Sequence, residues 1–271
     1  MSKTGLKRDT TDKFYTNKNI IDIVFPKFKE YTAAKNTDVI IEPSAGNGAF
    51  IKNIKDTTEK YHFYDIEPGH TDIVKANFLE LDLDSLVSKQ DTVHFIGNPP
   101  FGRQSSFAKK FIKKICPYAT SISFILPKSF KKESMNKTFD SYFHKVYELD
   151  LPINSFNIDN KCVDVPCVFQ IWIKKGSKRP TPQILTPCGY CFVKKNNNPS
   201  ISFRRVGVNA GNVSYDIDNK SEQSHYFIKI ENMSDNILQK LQKINFTFDN
   251  TVGPRSISKQ ELIKEFNKVI N

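Results

Sequence analysis

The sequence has no long apolar run. Nothing in its 271 residues approaches the ~20 consecutive apolar residues that a membrane-spanning helix needs. The first residues, MSKTGLKRDTTDKFY, hold no apolar stretch to serve as a secretory leader, so an intracellular, cytoplasmic chain is expected. Acidic residues are in deficit. There are 29 Asp and Glu against 40 Lys and Arg, a net charge of +11, which disfavours cationic partners and points to an anionic one. Cysteine is scarce as well. The five present, an odd number without a leader, argue against a disulfide framework and for reduced thiols. Cys188 and Cys191 form a CxxC with Cys162 and Cys167 upstream, and four thiolates are enough for zinc. The first pair is poorly spaced for a zinc knuckle, however, and Cys167 lies in an apolar run that suits a buried thiol without a metal. No metal site is expected.

What is present supports a folded enzyme-sized core. Apolar residues make up 38% of the chain, and its length allows one large domain or one domain with an appendage. Charge is uneven. Met1 to Ile173 holds 24 Lys and Arg against 21 Asp and Glu, whereas Lys174 to Asn271 holds 16 against 8. A solvated lysine surface and an anion-binding surface account for that excess equally well.

The first part alternates strand-like and helix-like segments. Ile20, Ile23, Val24 and Phe28 recur at helical spacing over Asn19 to Tyr31, despite Pro26. Short strands are expected at Val39 to Ile41, Tyr61 to Tyr64, Ile73 to Ala76, Thr92 to Ile96 and Ser121 to Leu126. Phe143 to Leu149 and Val165 to Ile173 follow as antiparallel hairpin partners. Helices are expected over Ala49 to about Lys55 and in a segment with Phe107, Phe111 and Ile115 on one face. This order predicts an α/β fold, a Rossmann-like, mainly parallel sheet covered on both faces. Ligands of such sheets bind beyond the carboxyl ends of the strands, and here Glu42, Asp65, Asn77 and Asn98 all follow strands.

After Gly176 to Pro182, a polar, proline-containing linker, the pattern changes to short strands (Tyr190 to Val193, Ile201 to Val206, Tyr226 to Ile230) and two helices, near Asp235 to Ile244 and Ser258 to Ile270. Ser258 and Glu261 form a capping box. The expected organisation is a catalytic domain over residues 1–175 and a small basic α+β module over 176–271.

Three motifs carry chemistry. Asn98-Pro99-Pro100-Phe101 follows a strand. Alone it would pass for an ordinary turn. At the active edge of an α/β sheet it offers two acceptors, the Asn98 side-chain carbonyl and the Pro99 backbone carbonyl, for the protons of a conjugated amine. Pro100 stiffens the loop, and Phe101 can stack on a base. The second motif, Glu42-Pro43-Ser44-Ala45-Gly46-Asn47-Gly48, joins a strand to a helix. Its glycines permit close backbone approach to a ligand. No Gly-Lys-Ser/Thr follows, so it is not a phosphate loop, and Glu42 suits a cation. In the third, Tyr64-Asp65-Ile66-Glu67-Pro68, the aspartate can accept both hydroxyls of a ribose or be an exposed loop acid. Asn77-Phe78 can hold an adenine by a hydrogen bond and an apolar wall, although Phe78 would serve as well in a core.

These motifs, in this order and spacing, resemble the class I S-adenosylmethionine-dependent adenine-N6 methyltransferases of the NPPF amino-methylating type, over roughly Lys13 to Lys175. The resemblance implies S-adenosylmethionine as cofactor, held by Glu42, Asp65 and Asn77 with the loop residues Ser44, Gly46 and Gly48 and with Phe78. Tyr15 and Thr16, in Phe14-Tyr15-Thr16, resemble the segment that closes over the cofactor. It further implies that Asn98, Pro99 and Phe101 hold the target adenine. Family members often carry Asp where this chain has Asn77. The family's second base-sandwiching aromatic is assigned to Phe156, which would equally serve as a core cap. Nucleic acid is the expected partner, DNA slightly ahead of RNA. Arg204 and Arg205 are the preferred phosphate contacts, although a surface pair without a role fits the sequence equally well. Lys194, Lys195 and Arg255 extend that patch, Arg103 beside the NPPF loop is a further contact, and Lys128 and Lys131 are weaker ones. A protein-glutamine substrate and a catalytically silent binding subunit are the alternatives. No restriction nuclease cluster is present, and the Lys- and Asn-rich make-up fits an AT-rich genome such as that of a virus.

Overall fold

The computed structural model describes residues 14–158, 161–181, 183–248, 250 and 254–270. The segment 1–13 and Pro182 of the linker lie outside them. The chain forms two compact units, Met1–Pro180 and Thr181–Asn271. Among the described residues no helix is long and apolar enough to cross a membrane.

The first unit opens with β1 (Tyr15–Thr16) and α1 (Lys18–Thr32). It continues through β2 (Val39–Glu42), α2 (Ile51–Lys55), β3 (Lys60–Asp65), β4 (Val74–Lys75), β5 (Val93–Gly97), α3 (Ser106–Ile115) and β6 (Ser121–Pro127). It ends with β7 (Phe143–Asp150), β8 (Phe156–Ile158), β9 (Lys161–Val163) and β10 (Cys167–Lys174). Seven strands form one sheet in the order β4-β3-β2-β5-β6-β10-β7, in which only β10 runs antiparallel to its neighbours. This is the Rossmann-like α/β core expected from the alternating pattern.

Successive strand residues point to opposite faces, and the core divides accordingly. Ile41, Phe95 and Phe124 join the cluster under α3 with Phe111, Ile112 and Trp172. Their neighbours Ile40, Ile96 and Ile125 join the cluster under α1 and α2 with Ile20, Val24, Phe28 and Ile54. Helix α1 tolerates Pro26 and ends at Ala33 in the left-handed conformation, whose N–H bonds Lys29 O. The face of α3 differs from expectation. Ala108, Phe111, Ile112 and Ile115 are buried, while Phe107 is 44% exposed. Each step of four residues overshoots a full helical turn by about 40°, so Phe107 falls off the face that Phe111 and Ile115 share with Ala108.

Past β10, Arg179 closes the unit. Its guanidinium donates to the carbonyls of Asn136, Phe139, Asp140 and Phe143 at 2.6–2.9 Å and sits 5.6 Å from the Trp172 ring centroid. A residue counted in the C-terminal basic excess is thereby a staple of the first unit. Measured from the structural boundary, Thr181–Asn271 holds only 12 Lys and Arg against 8 Asp and Glu. The second unit is therefore less basic than the sequence division implies.

The second unit has a four-stranded antiparallel sheet of β11 (Tyr190–Val193), β12 (Ile201–Arg204), β13 (Val213–Ser214) and β14 (His225–Ile230), in the order β11-β14-β12-β13. Helices α4 (Asp235–Gln242) and α5 (Lys259–Ile270) pack with it around Tyr190, Phe203, Ile228, Leu241 and Phe266. The capping box of α5 is formed. Ser258 N donates to Glu261 Oε2 at 2.7 Å, and Glu261 N donates to Ser258 Oγ at 3.3 Å.

At the amino ends of β2, β5 and β6, His94 bridges Ser121 Oγ (2.7 Å) and Asp38 Oδ2 (3.3 Å). All three are buried and lie at the opposite edge of the sheet from Glu42 and Asn98, so this Ser–His–Asp set is structural. Burial lowers the His94 pKa below 6.5, and the Asp38 contact opposes that only in part. A histidine held neutral contributes stability above pH 6.5, and that contribution is lost as pH falls below it. The melting temperature is expected to drop between about pH 7.5 and pH 5, and His94→Gln to flatten that limb. An identical limb in the variant would assign the acid sensitivity elsewhere.

Candidate functional site

The strand order reverses between β2 and β5, the switch point at which open α/β sheets bind ligands. Glu42 ends β2 and Asn98 follows β5. The two strand ends touch closely enough that glycine is required at Gly97. Its φ is +146°, and a Cβ there would lie 3.2 Å from Glu42 Cγ. Ser44 Oγ donates to Asn98 O at 3.2 Å, joining two motifs 54 residues apart.

Both key side chains present an unsatisfied acceptor. Glu42 is 2% exposed and its Oε2 has no hydrogen-bond partner among the described residues; Asn98 Oδ1 is likewise buried and unpartnered. A buried polar atom without a partner costs on the order of 1–3 kcal/mol, and such costs concentrate where a ligand relieves them. Burial first, and the Asp65 charge second, push the Glu42 carboxyl well above the usual carboxylate range. A cation placed against it would restore the carboxylate.

Asp65 holds the glycine loop. Its Oδ2 accepts from Gly46 N and its Oδ1 from Glu67 N, both at 2.8 Å. Each carboxylate oxygen keeps a second lone pair, so a diol can still be accepted. Gly46, at φ +54°, and Gly48, at φ +83°, adopt conformations that side chains disfavour. A Cβ on Gly46 would come within 3.2 Å of the Tyr15 ring, so the first strand lies directly over this loop.

Asn98 Nδ2 donates to Phe14 O (2.9 Å) and Thr16 Oγ1 (3.3 Å), and β1 pairs antiparallel with β8 through Tyr15–Asn157 and Thr16–Phe156. The N-terminal strap, the NPPF turn and the segment after β7 therefore meet. Sequence reasoning places Phe14 in the segment that covers the cofactor but misses its contact with the NPPF turn. Its ring stacks on Phe101 with centroids 6.2 Å apart and meets Phe156 edge-on at 6.2 Å. No local pattern announces it, because the pairing links β1 to a strand more than a hundred positions away.

Packing places two of the expected site residues, Phe156 and Phe78, in the core, and a third, Asn77, caps a local turn. Phe156 is 0% exposed within the α1 core cluster, so its ring is not displayed to a base. Phe78, 2% exposed, stacks on Phe111 and meets Phe95 and Tyr64, which makes it a core side chain. Asn77 is exposed and engaged locally. It accepts from Leu79 N and donates to Glu80 Oε1, capping a 3-10 turn.

Pro99 is buried, Pro100 half-buried, and Arg103 exposed. Gly102, Gln104 and Ser105 all have positive φ, so the turn after Phe101 is sharply wound before α3 begins. Lys128 and Lys131 both pair with Asp150, at 3.5 and 3.2 Å.

In the second unit Arg204 and Arg205 diverge, as successive residues of extended chain do. Arg204 folds back onto Val206 O at 3.1 Å. Arg205 donates to Gln223 O at 2.7 Å and lies 5.5 Å from the Tyr226 ring centroid. Lys195 donates to the carbonyls of Asp218 and Lys220, and Arg255 lies over Phe248. Cys162, Cys188 and Cys191 are exposed, while Cys116 and Cys167 are buried.

The fold is a Rossmann-like α/β fold. Its solved structural neighbours include 23S rRNA methyltransferase ErmE (15% identity over 61% of this chain and 71% of that one, TM-score 0.42). Two others are a dimethyladenosine transferase from Plasmodium falciparum (17%, 59% and 63%, TM-score 0.39) and the tRNA m1G37 methyltransferase of M. jannaschii (17%, 61% and 52%, TM-score 0.42). No family model and no curated protein matches the sequence.

Proposed function

We propose that the first unit transfers a methyl group from S-adenosylmethionine to the N6 amine of an adenine in nucleic acid. The observation that carries this reading is the pair of buried, unpartnered acceptors, Glu42 Oε2 and Asn98 Oδ1, at the ends of the two strands that flank the switch point. S-adenosylmethionine, when bound, supplies an electrophilic methyl on a sulfonium. Glu42 is suited to the ammonium of its methionine part and Asp65 to its ribose hydroxyls, with Ser44, Gly46 and Gly48 forming the cradle and Tyr15 and Thr16 the cover. Asn77 keeps one N–H and one carbonyl lone pair beyond its local bonds, enough to meet an adenine edge.

Asn98 Oδ1 and the Pro99 carbonyl accept the two amine protons and draw the nitrogen toward a tetrahedral geometry, which frees its lone pair. The new N–C bond forms as the C–S bond breaks, and the acidic ammonium product loses a proton to water. No strong base is needed, and positioning is the main contribution. Phe101, which is itself buried in the same cluster as Phe156 but lies under the Phe14 ring, supplies the stacking face once that ring moves. Phe14 lies on that face, so a target base must displace it, and the strap acts as a cover that yields to substrate. Pro100 stiffens the turn, Arg103 meets the phosphate beside the target, and Phe156 backs the pocket through Phe14.

The resemblance to stand-alone DNA modification enzymes puts DNA first and RNA second. The second unit serves as the recognition module, with Arg205 better placed than Arg204. The test is transfer of label from S-adenosylmethionine to duplex DNA, single-stranded DNA and total RNA, followed by nucleoside analysis. Label in N6-methyladenosine or its deoxy form is expected. Cofactor binding without transfer to any pool would redirect the search to a glutamine-containing protein substrate, and absence of cofactor binding would overturn the enzyme reading.

A further inference from the structure

The second unit carries a pocket of about 200 Å³ between the edge strand β11, β14 and the first residue of α5. Its lining includes the Phe192 and Tyr226 rings, Phe227 and His225, with Lys194, Lys195, Lys259 and a single acid, Glu222. The first two rings meet edge-on, with centroids 5.6 Å apart. The Lys259 ammonium lies 4.6 Å from the Phe192 centroid and 5.8 Å from that of Tyr226, and Arg205 adds a second cation on Tyr226 at 5.5 Å. Neither Lys194 nor Lys259 has a carboxylate within 4 Å among the described residues, and both are exposed.

We infer that this pocket binds one unpaired nucleotide of the substrate strand. The inference rests on the nucleic-acid reading above and specifies where the second unit grips. The chemistry selects a nucleotide on three counts. Flat aromatic faces stack any base, which is how single strands are held without sequence readout. Two unpaired, flexible ammonium groups at the rim match a phosphate on either side. A lone carboxylate in an otherwise cationic pocket suits neither free phosphate nor an acidic peptide, but it accepts from the amino or imino edge of a base. Lys259 rests over the rings by a cation–π contact, which is weak at exposed sites. Its long stem lets it turn to a phosphate when a base takes the ring. A base-paired duplex offers no exposed face and would not enter.

The experiment measures binding of the full chain to labelled single-stranded RNA, single-stranded DNA and a blunt duplex of the same sequence across a salt series. Lys194→Ala with Lys259→Ala, both exposed changes, is expected to weaken single-strand binding about tenfold. The same pair should lower the slope of log K against log salt by roughly 1.4, about 0.7 for each phosphate no longer neutralised. Phe192→Leu is expected to weaken binding at least about fivefold with the salt slope unchanged. Duplex affinity should move with neither. The two single-strand probes distinguish ribose from deoxyribose as the sugar accepted. A wild-type chain that methylates nucleic acid while both variants bind single strands normally would overturn the pocket alone. A chain that neither binds nor methylates any probe would overturn the reading on which it rests, and the pocket with it.

Discussion

Replacing Asn98 with alanine is expected to lower methyl transfer by about 10²–10³-fold or more, the usual cost of removing one positioned polar group from an active site, and to spare cofactor affinity. The side chain performs two tasks at opposite ends. Nδ2 ties down Phe14 O and Thr16 Oγ1, and Oδ1 is left buried without a partner. Alanine removes both, so the variant alone does not separate amine activation from tethering of the strap. Asn98→Asp does. It keeps an acceptor facing the amine and loses both donors to the strap. If activation of the amine dominates, the aspartate variant retains far more activity than the alanine variant. Equal loss in both would assign Asn98 chiefly to holding the strap, and full activity in alanine would refute the proposed geometry. Single-turnover transfer rates, with cofactor affinity measured alongside, decide among these.

The second large effect concerns Glu42. In the ligand-free chain its carboxyl titrates well above the ordinary value of 4.5, because burial penalises the charge and Asp65 repels it. A ligand ammonium requires the carboxylate. Cofactor affinity is therefore expected to rise with pH through the Glu42 titration, with up to one proton released per molecule bound. Glu42→Gln should bind roughly 10- to 100-fold more weakly, in line with hydrogen bonds to charged groups contributing about 1.5–3 kcal/mol, and should lose the proton release. Stability runs the other way. A group whose folded pKa is raised stabilises the fold below its unfolded value and loses that contribution as pH rises through the folded one. The ligand-free wild type should lose melting temperature relative to Glu42→Gln as pH increases. Calorimetry in buffers of different ionisation enthalpy reads the proton directly. Affinity that is flat with pH, and unchanged in the glutamine variant, would remove Glu42 from the ammonium site.

Both predictions draw on residues legible before any fold was known, because the polar residues that end strands of a parallel sheet are set by local pattern. Val39–Glu42 and Val93–Gly97 are short apolar runs, and the residues that close them, Glu42 and Asn98, stand out against that background. The turn glycines and the capping box of α5 are readable for the same reason, since each is a relation among residues within a few positions. Orientation of the aromatics is not. Phe78, Phe107 and Phe156 are chemically alike, and nothing local says which of them faces core, solvent or ligand.

Sequence alone determined the element order, the Rossmann-like class and the identity of the polar residues at the strand ends, because periodicity and turn chemistry act over a few residues. Tertiary structure decided the rest. It set Phe14 rather than Phe156 against Phe101, turned Arg179 inward as a staple, and gathered Phe192, Tyr226 and Lys259 into one pocket. Each of these depends on pairings between segments tens of residues apart or more. Their register is fixed by burial of the whole sheet face and not by any neighbouring residue.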